Sequence, residues 1–336
     1  EIIMSTRQHR SKVSLSLPAG QISASEFVDK HNPRVLKRHI TEYSLTDDEW
    51  KDFDNIRVVC RFRPPNRKEL QFSKKTNTPD KPPQFNSEQT IHLARHANPN
   101  QIHQSSKTKP FKCTLDTILS DKTTQKQVFY LVGQPMILSC LEGFNSTIFA
   151  YGQSGSGKTF TMFGPENSMN VDQFGLVPRC FIYLFQKLNK HLTNNGGDLQ
   201  DFGVKMELLQ IYKRDLLDLL NPKTKAKLVI KTDFRNDSVF VQNLRSIEVK
   251  TVEEAFAVLT EAQSNRIVAG HALNAVSSRS HMLVMVTIIQ RFIDGSVKRS
   301  KLNFGDLAGS EDILKALGPN PNPKRRAEAI AINSSL

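Results

Sequence analysis

Eight residues constrain this chain more than any other stretch. Gly152-Gln153-Ser154-Gly155-Ser156-Gly157-Lys158-Thr159 is a GxxxxGK[ST] loop, entered by the apolar run Thr147-Ile148-Phe149-Ala150-Tyr151 and followed by Phe160-Thr161-Met162. A β-type run, a glycine-rich turn and a helix start come in the order a phosphate cradle needs. Backbone N–H groups near a helix N-terminus wrap an anion, the lysine reaches the outer phosphates, and the final hydroxyl holds Mg²⁺. The loop therefore predicts a nucleotide site, and what the nucleotide is used for has to come from elsewhere in the chain.

Bulk properties narrow the class. With 336 residues, 38% hydrophobic and 24% charged, the chain has enough apolar material for a core and reads as soluble and globular. No apolar run approaches the roughly 18 to 20 residues of a membrane span, and no secretory signal pattern is present. Cys60, Cys113, Cys140 and Cys180 form no CxxC pair, so free thiols are expected rather than a disulfide framework or a cysteine metal site. His92 and His96 lie four apart but lack an evident third ligand. The net charge is +13, and residues 54–112 alone carry 12 basic and 4 acidic groups. A basic patch favours a polyanionic partner such as nucleic acid, an acidic filament or an anionic surface, and charge alone does not choose among them.

The rest of the chain reads as alternating elements. Residues 1–44 are polar and without sustained periodicity, which suggests an extension; Thr46-Asp47-Asp48-Glu49 then matches a capping box, predicting a short helix near 46–53. Ile56 to Arg63 reads as a strand with Ile56, Val58, Cys60 and Phe62 on the inner face, stopped by Pro64-Pro65. A loop region with one strand candidate at Thr90–Leu93 follows. Thr124 to Glu142 predicts a helix kinked at Pro135, and a turn at Gly175–Arg179 leads into a further helix. Strands are expected at Val204–Tyr212 and Val239–Val241, a helix at Val252–Ala269, and a hairpin of His281–Phe292 with Val297–Phe304 across Asp294-Gly295. This pattern predicts the α/β class: a P-loop NTPase with a mixed central β-sheet and helices on both faces.

Hydrolysis needs an acid near Mg²⁺ and groups that sense the γ-phosphate. The strand ending Leu302-Asn303-Phe304-Gly305 delivers Asp306 at its C-terminal edge, where open α/β sheets place ligands, and Gly309 follows in Leu307-Ala308-Gly309-Ser310-Glu311. Asn274-Ala275-Val276-Ser277-Ser278-Arg279-Ser280-His281 offers adjacent hydroxyls and an arginine between a helix and a strand. In order and spacing these three stretches resemble the kinesin motor domain. The likeness extends to Arg61-Phe62-Arg63-Pro64, to Gly143–Gln153, to Val177-Pro178-Arg179, and to Ile211-Tyr212 ahead of Asp218-Leu219-Leu220.

The resemblance implies an ATP-hydrolysing, microtubule-binding motor that takes ATP and Mg²⁺. It assigns phosphate binding to Lys158 with Gln153, Ser154, Gly155, Ser156 and Gly157, and metal binding to Thr159 and Ser278, with Asp306 acting through water. Ser277 belongs to the same catalytic set, and Gly309 would sense the γ-phosphate. Arg279 and Glu311 would pair to close the two switch loops over the attacking water, while Arg61, Arg63, Pro64 and Phe160 would surround the adenine. The implied partners are tubulin and, through segments outside this chain, oligomerisation or cargo partners; nucleic acid and membrane insertion are not expected. The implied location is the cytoplasmic microtubule cytoskeleton, with cilium or spindle as finer settings.

Departures from the family pattern qualify that picture. Phe160 stands where histidine is common, Gly305 replaces a larger apolar residue and should loosen its strand end, and Gln210 replaces a glutamate. Asp312 follows Glu311 where a basic residue is common, and Gly318-Pro319-Asn320-Pro321-Asn322-Pro323 cannot extend a helix. Ala329–Leu336 resembles the start of the long helix leading to the track, so a motor domain over 54–336, C-terminally incomplete, is expected after an extension at 1–53. The alternative is a non-motile kinesin-like structural module. A nucleic-acid translocase is disfavoured because no second nucleotide-binding domain follows and the basic stretch lacks interleaved aromatics. A GTPase is disfavoured because Asn189-Lys190 continues as His191-Leu192 instead of an Asn-Lys-x-Asp pattern.

Overall fold

The computed structural model describes residues 1–8, 22–23, 56–67, 69–71, 84–85, 90–93, 111–165, 170–193, 198–234, 238–272, 277–311 and 323–335. The candidate helix at 46–53 and the proline-rich run 318–322 lie outside these residues. The strands in chain order are β1 (Ile2–Gln8), β2 (Ile22–Ser23), β3 (Ile56–Arg61), β4 (Gln84–Phe85), β5 (Thr90–Leu93), β6 (Phe111–Thr114), β7 (Thr117–Leu119) and β8 (Asn145–Tyr151). They continue with β9 (Leu199–Tyr212), β10 (Asp215–Asp218), β11 (Val229–Asp233), β12 (Ser238–Gln242), β13 (Ile247–Val249), β14 (His281–Phe292) and β15 (Val297–Asp306).

A ten-stranded mixed sheet runs in the order β2-β13-β9-β14-β15-β8-β1-β3-β7, with β10 added to β9. Its scaffold is the long antiparallel run of β9, β14 and β15, whose register carries Gln210 opposite Met282 and Met282 opposite Asp306. β15 then pairs in parallel with β8, the strand that feeds the phosphate loop, so Asp306 and Ala150 lie side by side at one sheet edge. Two smaller sheets, β4-β5-β6 and the β11-β12 hairpin, are separate from it.

Helices pack against this sheet because their apolar stripes match its alternating inner residues. α1 (Gln125–Val128) is capped by Thr124 in a capping box with Gln127 and passes through a π-turn at Phe129–Gly133 into α2 (Gln134–Leu141). The irregularity expected at Pro135 takes the form of that π-turn. Pro135 has no N–H to donate, and the preceding Gln134 N–H reaches back to Phe129. α3 (Lys158–Phe163) starts directly from the phosphate loop.

α4 (Leu176–Thr193) begins one residue after Gly175, so the predicted turn at 175–179 is helical; Pro178 falls in the first turn, where an N–H is dispensable. Arg179 there is buried and donates to the carbonyls of Phe174, Val171 and Asp172, tying the helix to the preceding loop. α5 (Val252–Ala272) completes the main core, and α6 (Pro323–Asn333) contributes Ile332 to a second small cluster with Tyr212 and Ala308.

Two local expectations change. In β3 the deeply buried side chains are Val59 and Arg61, while Ile56 is exposed, because the Arg57 and Arg61 guanidiniums find carbonyl and hydroxyl partners on the helix side of the sheet. Residues 2–8, read from the sequence as part of a polar extension, form β1 in the middle of the sheet. Its pairing partners lie about fifty and a hundred and forty residues away, beyond the reach of any local pattern.

Candidate nucleotide site

The loop from Gly152 to Thr159 leaves β8 and enters α3 with Gly152, Gly155 and Gly157 all at positive φ, a backbone that glycine adopts freely and that phosphate loops use. Lys158 is buried and folds back, its Nζ donating to Gly152 O at 2.8 Å and Gln153 O at 3.0 Å. Burial lowers its pKa, opposed by the nearby charges of Asp306, Glu311 and Glu1.

Asp306 stands at the junction of three elements. Its Oδ2 accepts from Thr159 Oγ1 at 2.9 Å and from Arg266 Nη1 on α5 at 2.8 Å, the latter in an almost fully buried ion pair. Its other oxygen, Oδ1, is buried without a hydrogen-bond partner. A hydroxyl and an unshared carboxylate oxygen at the mouth of a phosphate cradle are oxygen donors of the kind Mg²⁺ or its water takes, so the residues present fit that ion.

The two switch stretches meet over the loop. Gly309 N–H donates to Ser278 O at 2.8 Å, and Ser310 N–H donates to Gly152 O at 3.1 Å. A Cβ at Gly309 would meet the Glu311 carboxylate and the Ser154 hydroxyl, so any larger residue there would have to push these side chains out of their present contact. In this arrangement the Gly309 amide is bonded to the chain and not presented to a γ-phosphate. Ser277, Ser278 and Arg279 form a single 3₁₀ turn ahead of β14.

The expected Arg279–Glu311 pair is not formed. Arg279 Nη1 lies 3.3 Å from Glu328 on α6, whose Oε1 also accepts from Tyr212 Oη at 2.8 Å. Glu311 instead turns into the cradle, taking the Ser154 N–H at 2.9 Å and the Ser154 hydroxyl at 2.6 Å. Burial works against its charge, but the Ser154 hydrogen bonds and Lys158 outweigh it and lower its pKa. The physical reason is competition: the Ser154 amide and hydroxyl draw the nearest carboxylate, Glu311, and Arg279 takes the next acid within reach.

On the outer side, Arg63 Nε donates to Gly155 O at 2.7 Å while its guanidinium is held by Glu69. Pro64 is exposed beside it and accepts from Arg63. Arg61 points inward: it donates to Gln125, Thr161 and the Thr123 carbonyl, and its guanidinium lies 5.7 Å from the Phe160 ring centroid. Phe160 is itself exposed, leaving an aromatic surface at the rim. The looseness expected at Gly305 is not seen: β15 stays paired on both sides there, and an added Cβ would lie 3.1 Å from that of Phe149.

Sequence reasoning missed four participants. Arg266 is one arginine on an otherwise ordinary helix, and Glu328 sits on an element with no local mark of function. His281 ends the serine-arginine motif, where nothing in the sequence gives it a role; its Nδ1 accepts from Ala308 N–H at 3.0 Å and its Nε2 meets Ser335 Oγ at 2.9 Å, linking both switches to the turn that follows α6. Glu1 reaches Thr161 from β1.

A glycine-lined cradle between strand and helix, with a hydroxyl and an acid from a neighbouring strand beside it, defines a P-loop nucleotide-binding protein. Comparison with known proteins narrows this further. The kinesin motor domain family matches residues 61–336, and the chain belongs to that family. Kinesin-like protein KIN-12A of Arabidopsis thaliana is 32% identical over 82% of this chain and 20% of its own length. The kinesin heavy chain of Syncephalastrum racemosum is 35% identical over 84% of this chain and 28% of its own. A solved structure described as a fast kinesin superposes with a TM-score of 0.66 at 29% identity, covering 81% of this chain and 70% of that one. The chain thus spans under a third of the length of these two curated relatives.

Proposed function

We propose that this chain is the ATP-hydrolysing part of a microtubule motor, in which residues 54–336 carry the phosphate loop and both switch stretches while β1 pairs into their sheet. The single observation that carries the reading is convergence: the phosphate loop, the Ser277–Arg279 turn and the Asp306–Glu311 stretch touch one another at Thr159–Asp306, Gly309–Ser278 and Ser154–Glu311. Three sequence-distant segments are brought to one sheet edge, as in-line phosphoryl transfer requires.

In this reading Gln153 to Thr159 hold the triphosphate and Lys158 swings from its carbonyl partners onto the outer phosphates. Thr159 and Ser278, with Asp306 through water, hold Mg²⁺, which when bound neutralises charge on the transferring phosphoryl group. The triphosphate displaces Glu311 from Ser154, and Glu311 then becomes free to meet Arg279, closing the switches and orienting the attacking water. Gly309, released from Ser278, offers its N–H to the γ-phosphate. Arg63, Pro64 and Phe160 cover the adenine, with Arg61 supporting Phe160 from below.

Microtubule binding is supported by membership of the family and by the fast kinesin, a protein described as interacting with microtubules. The β11-β12 hairpin adds a surface of suitable character. Ile230, Phe234, Val239 and Phe240 are exposed on it, and Lys223, Lys225, Lys227 and Lys231 lie on or beside it, which suits an acidic protein filament. No helix among the described residues is long and apolar enough to cross a membrane. The protein would then act on the cytoplasmic microtubule cytoskeleton, with cargo or oligomer contacts carried by other segments. The test is the ATPase rate of the longest available chain with and without microtubules. Stimulation with nucleotide-dependent co-sedimentation is expected; neither being seen would overturn the motor reading.

A further inference from the structure

Arg61 and Phe160 face each other at the rim of the site, and a glutamine from a third element joins them. Gln125 opens α1, the helix that Thr124 caps, and its side chain is buried. Its Oε1 accepts from Arg61 Nη1 at 2.8 Å, and its Nε2 donates to Phe160 O at 2.7 Å. One amide thus ties the end of β3 to the first turn of α3, across 64 and 35 positions of sequence. A longer bond of 3.5 Å reaches Gln173 O, ahead of α4.

Only an amide serves both ends. A carboxylate would accept from Arg61 but set its second oxygen against the Phe160 carbonyl, and an aliphatic chain would offer a partner to neither. The guanidinium is also held by the Thr161 hydroxyl at 2.6 Å and the Thr123 carbonyl at 3.3 Å. These bonds aim it at Phe160, with Cζ 5.7 Å from the ring centroid. The ring is 43% exposed, so it keeps surface that Arg61 does not cover. A flat aromatic surface backed by a cation suits the face of a purine. The phosphate-binding groups have other supports: Lys158 is held by the Gly152 and Gln153 carbonyls, and Thr159 by Asp306.

We propose that Gln125 is a positioning residue for the base of the nucleotide, fixing Phe160 and Arg61 as the surface on which the purine stacks. The proposal deepens the nucleotide reading given above and rests on it. It makes base recognition depend on a helix outside the phosphate loop and both switches.

The experiment titrates the full chain calorimetrically with a non-hydrolysable Mg·ATP analogue and, separately, with Mg·tripolyphosphate, which has the phosphates and no base. Wild type should bind the nucleotide at least about tenfold more tightly. Gln125→Met should raise the nucleotide Kd by roughly three- to tenfold and leave the tripolyphosphate Kd within about twofold. Gln125→Glu keeps the Arg61 bond and loses only that to Phe160 O, so it should show a smaller loss of the same kind. Phe160→Ala, a change at an exposed ring that leaves the core intact, should cause the same selective loss. In that background Gln125→Met should add almost nothing, because both residues act on the base.

An equal loss of both ligands in the Gln125 variants would make Gln125 a general support of the fold and overturn the proposal. So would an unchanged nucleotide Kd in Phe160→Ala, additive effects in the double variant, or a wild type that binds tripolyphosphate as tightly as the nucleotide. Binding of neither ligand by the wild type would instead sink the nucleotide reading, and the base proposal with it.

Discussion

The two walls of the nucleotide site are built to different rules. The cradle wall is held by bonds between residues a few positions apart: Ser156 N–H to Gln153 O at 3.2 Å, Thr161 N–H to Gly157 O at 2.8 Å, and Lys158 to the carbonyls of Gly152 and Gln153. The switch wall is held by residues far apart: Gly309 with Ser278, Arg279 with Glu328, and Asn333 Nδ2 with Glu311 O at 3.1 Å. Short-range backbone bonds are dictated by the local sequence and persist whatever is bound, and only the Lys158 side chain trades its carbonyl partners for phosphate. Long-range ionic partners are chosen by competition, and a triphosphate changes the competitors.

Asp306 is where the walls meet, so the largest effect is expected from removing its cation. Arg266→Met leaves a buried carboxylate with Thr159 as its only described hydrogen-bond partner, and breaking such a pair costs about 3–5 kcal/mol. Urea unfolding should show this as a large drop in midpoint with the slope unchanged. An unchanged midpoint would mean that Arg266 does not support the junction.

Next in size is Lys158→Ala. It removes a charge-assisted contact to the outer phosphates worth about 1.5–3 kcal/mol, so ATP affinity should fall by roughly ten- to a hundredfold while the fold persists. Titration with a fluorescent ATP analogue and a parallel unfolding curve separate the two. If the cradle is the invariant wall, no switch variant should approach this loss of binding.

Glu311→Gln sharpens the contrast in the opposite direction. A neutral amide competes less well for the Ser154 N–H than a carboxylate, since charge-assisted hydrogen bonds are about twice as strong as neutral ones. ATP binding should tighten by roughly three- to tenfold, and hydrolysis should slow because the partner of Arg279 in the closed state is lost. Equilibrium binding and single-turnover hydrolysis read these separately; weaker binding would show that Glu311 does not compete with phosphate.

How much of this was legible follows the same division. Gly152 to Thr159, the hairpin of β14 and β15, and the position of Asp306 were readable because periodicity and turn chemistry are local. Arg279 stood out as the arginine of the turn before β14, but its partner was not readable: Glu311 and Glu328 are both acids near it, and only three-dimensional competition decides between them. β1 left a weak trace in Ile2-Ile3-Met4, too short to outweigh the polar residues that follow. Its partners were invisible because strand pairing at long separation has no sequence-local code. Arg266 and Glu1 share that blindness, each defined by the group opposite it.

The smallest predicted effect concerns His281, which stitches the switch wall together. Its Nδ1 accepts from Ala308 N–H, so the ring must be neutral at that nitrogen, and burial lowers its pKa below the usual 6.5. The unfolded chain takes up a proton near pH 6.5, whereas the folded chain resists until a lower pH. Between those two values the unfolded state binds more protons, so stability rises with pH and is fully present above about pH 6.5. It should decline as pH falls through that window, by at most about 1.4 kcal/mol per pH unit from this residue. His281→Asn removes the titration, so unfolding midpoints measured from about pH 5 to 7 should flatten relative to wild type. Because the bond joins one switch to the other, the same protonation should weaken hydrolysis more than nucleotide binding; an equal loss of both would place His281 with the cradle instead.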